Sequence, residues 1–552
     1  MSSYSIFKGL SKAYVDNTTD SSKIFPLNFN NEEAFTQKIE ELDAECRCIE
    51  PSAVSGVLRE FNQYLGCGEL TLKHLDELEN GALAVVTGQQ AGIFTGALYT
   101  VYKAITTIKL ARKLSEQYQR PVVPVFWIAS EDHDFQEIHE LKHYANGKVN
   151  TYAIHKQASE LIEKHLTPSH PSNNQLKASI GHLKVTNEVY QTVETLLNEA
   201  SQDEIENLQI LLKSTLVEND TLSNWFGRLM MKLFNDYGLV FIDPMLGQLR
   251  SLEIPLFEKA LASNENIVKA LEEQTELVSK MGFKPSLEFD PTGLNLFYYQ
   301  NGERLPIKRE GTNWCVGQGS EITTFTTETL QKAFNEEPDR FSTNVILRPI
   351  AQDILFKTVA YVAGPGEISY YGQLAQVYQF FGKTMPIIYP RENFTVVTKP
   401  VDEKMTDLDV DAEAMLICGV EAVRDRVLDL KDDIRIDDLF EAYQKQVAEG
   451  YDLLIGQIEK MSPEIHEFKE KNKGMILNQI GYLQEKAHRF HRRNHKDLLK
   501  TLSDVEMQLV PEGGLQERML SVIQYYGKEG DSFIDYLVNE LPIEAKHRII
   551  TL

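Results

Sequence analysis

The stretch ALAVVTGQQAGIFTGALYTVYK, Ala82 to Lys103, decides the fold class. An apolar run up to Val86 is followed by a glycine turn. Apolar residues then recur at helical spacing: Ile93, Ala97, Val101, Ala104, Ile105 and Ile108. Strand, glycine loop, helix is the opening of a nucleotide-binding α/β domain. Gly88, Gly92 and Gly96 let the backbone come close to a ligand or bend where a Cβ would clash. Thr87, Gln89, Gln90, Thr95, Tyr99 and Lys103 can all hydrogen-bond. The first turn of the helix aims N–H groups at the loop, which suits a phosphate or carboxylate. The loop contains neither GxxxxGK[ST] nor GxGxxG. On its own it also fits a glycine-rich turn in any Rossmann-like sheet.

A second stretch, PVVPVFWIASEDHD from Pro121 to Asp134, narrows the reading. Val122 to Ile128 is continuously apolar, as a strand buried on both faces should be. It ends in Glu131, Asp132, His133 and Asp134, where open α/β sheets bind ligands. Three carboxylates around one histidine repel each other unless they bind something or are well solvated. The alternative is an acidic helix start that complements the dipole. A third stretch runs from Asn344 to Leu374. Thr358 to Ala363 reads as a strand, Gly364, Pro365 and Gly366 as its turn, and Glu367 as the start of a helix with Tyr370, Tyr371 and Gln373. Leu239 to Ile242, ending in Asp243, and Met385 to Tyr389 supply two further strands.

TGQQAGIFTGALYTVYK, PVFWIASEDHDFQEI, LRPIAQD, AGPGEISYYGQL and the later QERM (Gln516 to Met519) and YYG (Tyr525 to Gly527) resemble the bacillithiol biosynthesis cysteine-adding enzymes. The resemblance covers essentially the whole chain. It implies an α/β fold: a Rossmann-like parallel sheet similar to class I ligases and nucleotidyltransferases, with connecting insertions and a C-terminal antiparallel coiled-coil arm that dimerises. The implied reaction joins L-cysteine to glucosaminyl malate, giving bacillithiol. Amide formation from free substrates is uphill, so the cysteine carboxylate must first be activated, as an adenylate or acyl phosphate. ATP with Mg²⁺ is inferred from that requirement, and no resident metal is expected.

His133 is then the expected base. Asp132 and Glu131 join it as catalytic residues, and Glu131, Asp132 or Asp134 would take the cysteine ammonium or Mg²⁺. Lys103 and Arg348 would neutralise phosphate or malate carboxylate. Substrate or nucleotide contacts are expected from Thr87, Gly88, Gln89, Gln90, Gly92, Thr95, Gly96 and Tyr99, and from Gln352, Asp353, Gly364, Gly366, Glu367, Tyr371 and Gln373. Two features depart from class I ligases. Gln89 and Gln90 stand where those enzymes carry HxGH, and Lys460-Met461-Ser462-Pro463 only echoes KMSKS from a helical hairpin turn. Two other classes remain open: a non-catalytic nucleotide- or metabolite-binding assembly protein, and a nucleotidyltransferase acting on a sugar phosphate. A scaffold has no need of the EDHD cluster.

The 552-residue chain carries a formal net charge of -25, which argues against a nucleic-acid partner. Met1 to Tyr14 lacks a signal-peptide core, and no run reaches membrane-span length. The five cysteines, Cys46, Cys48, Cys67, Cys315 and Cys418, are odd in number and scattered, which fits a reducing cytoplasm.

The expected organisation has eight parts. Residues 1–80 form a helical lead packing on the core and 81–146 the first part of the Rossmann-like core. Residues 147–235 are a mostly helical connecting insertion, 236–284 a core strand and helix, and 285–340 a β-rich insertion with a hairpin at Asn301-Gly302. Residues 341–400 close the core, 401–510 form the arm, and 511–552 a helical segment returning to the core. Phe135, Ile138, Leu141 and Tyr144 have helical spacing, which would put His139 and His143 on one helical face. Val189 to Leu216 and Leu249 to Met281 each read as helix. In the arm, an extra four-residue step from Asn494 to Leu502 reads as a stutter. The basic run Lys486 to Lys496 is either a solvated face or an anion or acidic-partner site.

Overall fold

A computed structural model describes residues 5–47, 49–154, 179–317, 319, 322–430, 435–462 and 464–552. Residues 155–178 of the expected connecting insertion therefore fall outside the described residues. The chain forms two compact units, residues 1–394 with 517–548, and residues 395–516 with 549–552.

The first unit is built on five parallel strands: β1 (Leu83–Gln89), β2 (Val122–Ile128), β3 (Val240–Ile242), β4 (Lys357–Ala363) and β5 (Ile387–Pro390). Their order is β5-β4-β1-β2-β3. All seven residues of β2 are buried, as its unbroken apolar run requires. Pro124 is tolerated there because β3 pairs only from Val125 onward, so its missing N–H breaks no bond on that side. The strand order reverses between β4 and β1, and in such sheets the ligand crevice lies outside the carboxyl ends of the strands at this point.

Helix α1 (Leu98–Tyr118) packs against β1 and β2 through Val101, Ala104, Ile105 and Ile108. It begins at Leu98 rather than Ile93. Phe94 (φ 52°), Thr95 (φ 77°) and Gly96 (φ 71°) occupy the left-handed region, which no α-helix can pass through. Gly92 is fixed by space: a Cβ there would lie 2.8 Å from the Gly96 α-carbon.

The helix expected around Leu141 is instead a hairpin of strands Glu140–Ala145 and Lys148–Ala153. Leu141 and His143 are buried while Glu140 is exposed, a period of two rather than 3.6, and Asn146 and Gly147 (φ 54° and 77°) supply the turn. His139 and His143 therefore do not share a helical face. Two expected long helices are each divided. Asn187–Glu199 and Ile205–Thr215 are separate, and α2 (Gly247–Ala262) stops at Ser263 before Asn264–Lys280.

The β-rich insertion is an antiparallel sheet of Gly293–Gln300, Glu303–Glu310, Asn313–Val316, Thr323–Phe325 and Phe341–Thr343. Its hairpin turns at Asn301 (φ 51°) and Gly302 (φ 74°), as the dipeptide predicts. Two short helices then lead into and out of β4: α3 (Arg348–Leu355) before it and α4 (Pro365–Tyr371) after it. The tail carries short helices at Gln516–Met519, Ile523–Glu529 and Asp531–Asp535, but ends in a strand, His547–Thr551, rather than a helix.

In the second unit α5 (Ile436–Ile458) and α6 (Ile465–Asn494) run antiparallel. Their register is marked by Lys473 to Asp452 (2.7 Å), Gln444 to Gln484 (3.3 Å) and His488 to Asp437 (2.8 Å). At the expected stutter the helix stops: His495 separates α6 from α7 (Lys496–Leu509). Leu502, Val505 and Leu509 of α7 are buried with Val401, Met405 and Val423.

Candidate active site

Side chains from all three quoted stretches meet at the carboxyl ends of β1, β2 and β4. Lys103, one turn into α1, is 3% exposed and turns its ammonium back onto β1. It donates to the Gly88 carbonyl (2.8 Å) and Gln89 Oε1 (3.0 Å), and pairs with Glu367 on α4. Glu367 accepts from the Tyr361 hydroxyl (2.8 Å) and the Gly364 N–H (2.8 Å). On the other side the Gln89 amide donates to Gln90 Oε1 (2.9 Å) and the Tyr99 hydroxyl (3.2 Å). The Gln90 amide donates to Asp132 (2.8 Å) and Glu137. One hydrogen-bonded chain therefore runs from Tyr361 through Glu367, Lys103, Gln89 and Gln90 to Asp132, across the point where the strand order reverses.

Burial works to raise the Glu367 carboxyl, but the Lys103 ammonium and the Gly364 N–H prevail and hold it below the ordinary range. Burial also lowers the Lys103 ammonium, which Glu367 partly offsets. At Asp132 burial is again outweighed, by the Gln90 amide, the His133 and Asp134 N–H groups and the charge of Arg304 in the β insertion. Glu137 goes the other way: burial raises it, and the Gln90 amide only partly compensates.

The remaining expected residues divide by their contacts. His133 is exposed, its ring 3.8 Å from Asp132. Asp134 is exposed and caps a short turn through the Gln136 N–H (3.1 Å). Glu131 faces inward instead. It pairs with Arg250 of α2, which also holds Glu253 at 2.6 Å, and all three are buried. Its neighbour Asp132 faces the loop instead, where it accepts from the Gln90 amide (2.8 Å). Thr87 is spent inside the sheet on the Val362 carbonyl (2.9 Å). Thr95 is buried with its hydroxyl unpartnered.

Arg348 donates to the Tyr370 hydroxyl (2.6 Å), and Tyr371 stacks on Tyr370 at 5.0 Å. Gly366 faces open space. Three expected ligand contacts lie elsewhere. Gln373 uses its whole amide to hold Ser286, Leu287 and Thr275, at 2.8 to 3.1 Å. Gln352 and Asp353 are buried toward the end of α3, where Asp353 neighbours Thr358 at the start of β4, the opposite edge of the sheet. Burial there pushes the Asp353 carboxyl up to about 6.

Beside the glutamines opens a cleft of about 150 Å³, lined by Gln89, Gln90, Gly96, Tyr99, Glu137 and Arg518 among others. Residues 2–392 match the family described as bacillithiol biosynthesis BshC, N-terminal Rossmann-like domain, and residues 394–552 its C-terminal coiled-coil domain. The chain belongs to the bacillithiol biosynthesis BshC family. Its relatives named "Putative cysteine ligase BshC" include one from Symbiobacterium thermophilum, 33% identical over 99% of this chain and 98% of that one. Another, from Heliobacterium modesticaldum, is 33% identical over 98% and 97%. One from Bacillus cereus is 29% identical over 94% of each.

For this BshC-family chain, two residues beside the cleft were not among those expected from the sequence. Arg391 directly follows β5 and is buried in a bidentate pair with Glu517 (2.6 and 2.8 Å). Its guanidinium lies 5.5 Å from the centre of the Tyr99 ring, and that of Arg518 lies 5.9 Å away. The available signals were the polar residue after the last strand and the QERM motif, whose middle residues reach the first unit only after the whole arm has intervened.

Proposed function

We propose that the protein joins L-cysteine to glucosaminyl malate through an amide bond, giving bacillithiol. The observation that carries this reading is the hydrogen-bonded chain from Glu367 to Asp132, which brings the glycine loop, the acidic cluster and α4 to one sheet edge. The relatives' name supports the cysteine half of the reaction. His133, whose ring lies 3.8 Å from Asp132, takes the proton that the attacking amine loses. Asp132 or Asp134 receives the cysteine ammonium. Gln89 and Gln90 hold Tyr99, Asp132 and Glu137 in place around the reacting groups.

ATP with Mg²⁺ would supply the leaving group that turns the cysteine carboxylate into an acyl donor. The residues present fit it: Gly366 leaves open space at the end of β4, and Asp134 offers an exposed carboxylate, while nucleotide-borne Mg²⁺ needs only one or two. Among the described residues no three His, Cys, Asp or Glu side chains converge on one point.

The arm supports a homodimer. Leu453 (73% exposed), Leu483 (59%), Phe468 (60%) and Phe490 (53%) leave more apolar surface than one helical pair can cover, and two-fold pairing is the simplest closed solution. A cytoplasmic location fits the free Cys46, Cys67, Cys315 and Cys418. Among the described residues no helix is long and apolar enough to cross a membrane. The deciding experiment incubates the protein with cysteine, glucosaminyl malate and candidate nucleotides and follows bacillithiol by mass spectrometry. Absence of product with every nucleotide would refute the reaction.

A further inference from the structure

The cleft beside the glutamines is charged unevenly. Near Gln90 it carries Glu137, tied to the Gln90 amide, and Glu140 also lines the wall. At the Tyr99 side it carries Arg518, and Lys142 contributes a second cation. Two guanidiniums flank Tyr99, and their states differ. Both terminal nitrogens of Arg391 are bonded, to Glu517, Asn393 and the Glu392 carbonyl. Arg518 is exposed, makes no ion pair among the described residues, and borders the cleft directly. An arginine held over an aromatic ring with its fork unoccupied is suited to a planar carboxylate.

The floor of the same cleft is the start of α1, a 21-residue helix whose N-cap, Ala97, offers no capping side chain. Its positive end adds to the guanidinium field. The Leu98 N–H is taken by the Leu520 carbonyl at 2.8 Å, which fixes residues 518–521 as the outer wall.

We infer that this cleft is the subsite for the two carboxylates of the acceptor, with Arg518 as the residue that selects a malyl-bearing amino sugar over an uncharged one. The inference rests on glucosaminyl malate being the acceptor, as proposed above. The amine end then lies toward Gln90, Glu137 and Asp132, and the dicarboxylate toward Tyr99 and Arg518. Arg518 is thus a specificity-determining residue, delivered to the first unit by the segment that follows the arm.

The test is calorimetric titration of the full-length protein, without cysteine or nucleotide, using two probes. One is glucosaminyl malate. The other is methyl glucosaminide, which keeps the amine and sugar but has no carboxylate. R518Q is expected to weaken glucosaminyl malate about 10- to 100-fold, the scale of a lost charged hydrogen bond, and to leave methyl glucosaminide unchanged. R518K should fall between the two, since it keeps the charge but loses the fork. The thermal midpoint should not move, because the side chain is exposed. Equal wild-type affinity for both probes, an unchanged R518Q affinity, or an equal loss for both probes would each overturn the subsite. If the titrations behave as expected but no bacillithiol forms in the reaction assay, the reaction is refuted and the subsite stands.

Discussion

Replacing Glu367 by Gln removes the carboxylate paired with the nearly sealed Lys103 ammonium. Lys103 is 3% exposed, and after E367Q its remaining acceptors are neutral: the Gly88 carbonyl at 2.8 Å and Gln89 Oε1 at 3.0 Å. Breaking one side of a buried pair typically costs about 3–5 kcal/mol, and the two surviving acceptors place this case near the lower end, about 3 kcal/mol. In K103M/E367Q both charges are gone and the methionine fills the lysine's path, so much of that loss should return.

All three tryptophans, Trp127, Trp225 and Trp314, belong to the first unit, so urea titration followed by tryptophan fluorescence reports on this unit specifically. The pH dependence has a definite sign. The folded-state pKa of Glu367 is depressed, so its stabilising contribution is complete above the unfolded value near 4.5 and is lost as pH falls through the lower folded value. E367Q should therefore lose most relative to wild type at neutral pH and least in acid. A single-mutant cost below about 1 kcal/mol, or a double mutant whose loss equals the sum of the two singles, would show that the pair is not coupled as the geometry requires.

H133A should abolish bacillithiol in a complemented deletion strain with an unchanged unfolding midpoint, because the exposed ring packs against little; normal thiol levels would remove His133 from the mechanism. R250M should destabilise the first unit by about 3–5 kcal/mol, since it strands the buried carboxylates of Glu131 and Glu253; a loss within 1 kcal/mol of wild type by tryptophan fluorescence would contradict that. Light scattering should give a dimer mass for the intact protein and a monomer mass for a version lacking Val401 to Leu509; a dimer that survives the deletion would place the interface elsewhere.

The α/β class and the parallel strands were legible because each signal is local. A strand buried on both faces must be apolar throughout, as Val122 to Ile128 is, and its exit residues must be polar. Polar exits led to Gln89, Gln90, Asp132 and Glu367 without knowledge of strand order. The same local reasoning failed where two periods competed: Phe135 to Tyr144 satisfies a helical spacing, yet the Asn146-Gly147 turn and the alternate burial of Leu141 and His143 make it a hairpin. Tertiary structure alone decided which charged group meets which. Glu131 and Asp132 are adjacent in sequence, but one is sealed against Arg250 and the other joined to Gln90. Lys103 reached Glu367 only because β4 lies beside β1, and Arg518 reached Tyr99 only because the chain returns after the arm. Backbone period and burial are written along neighbouring residues, whereas the partner of a buried charge is whatever the packing of distant elements places within a few ångströms.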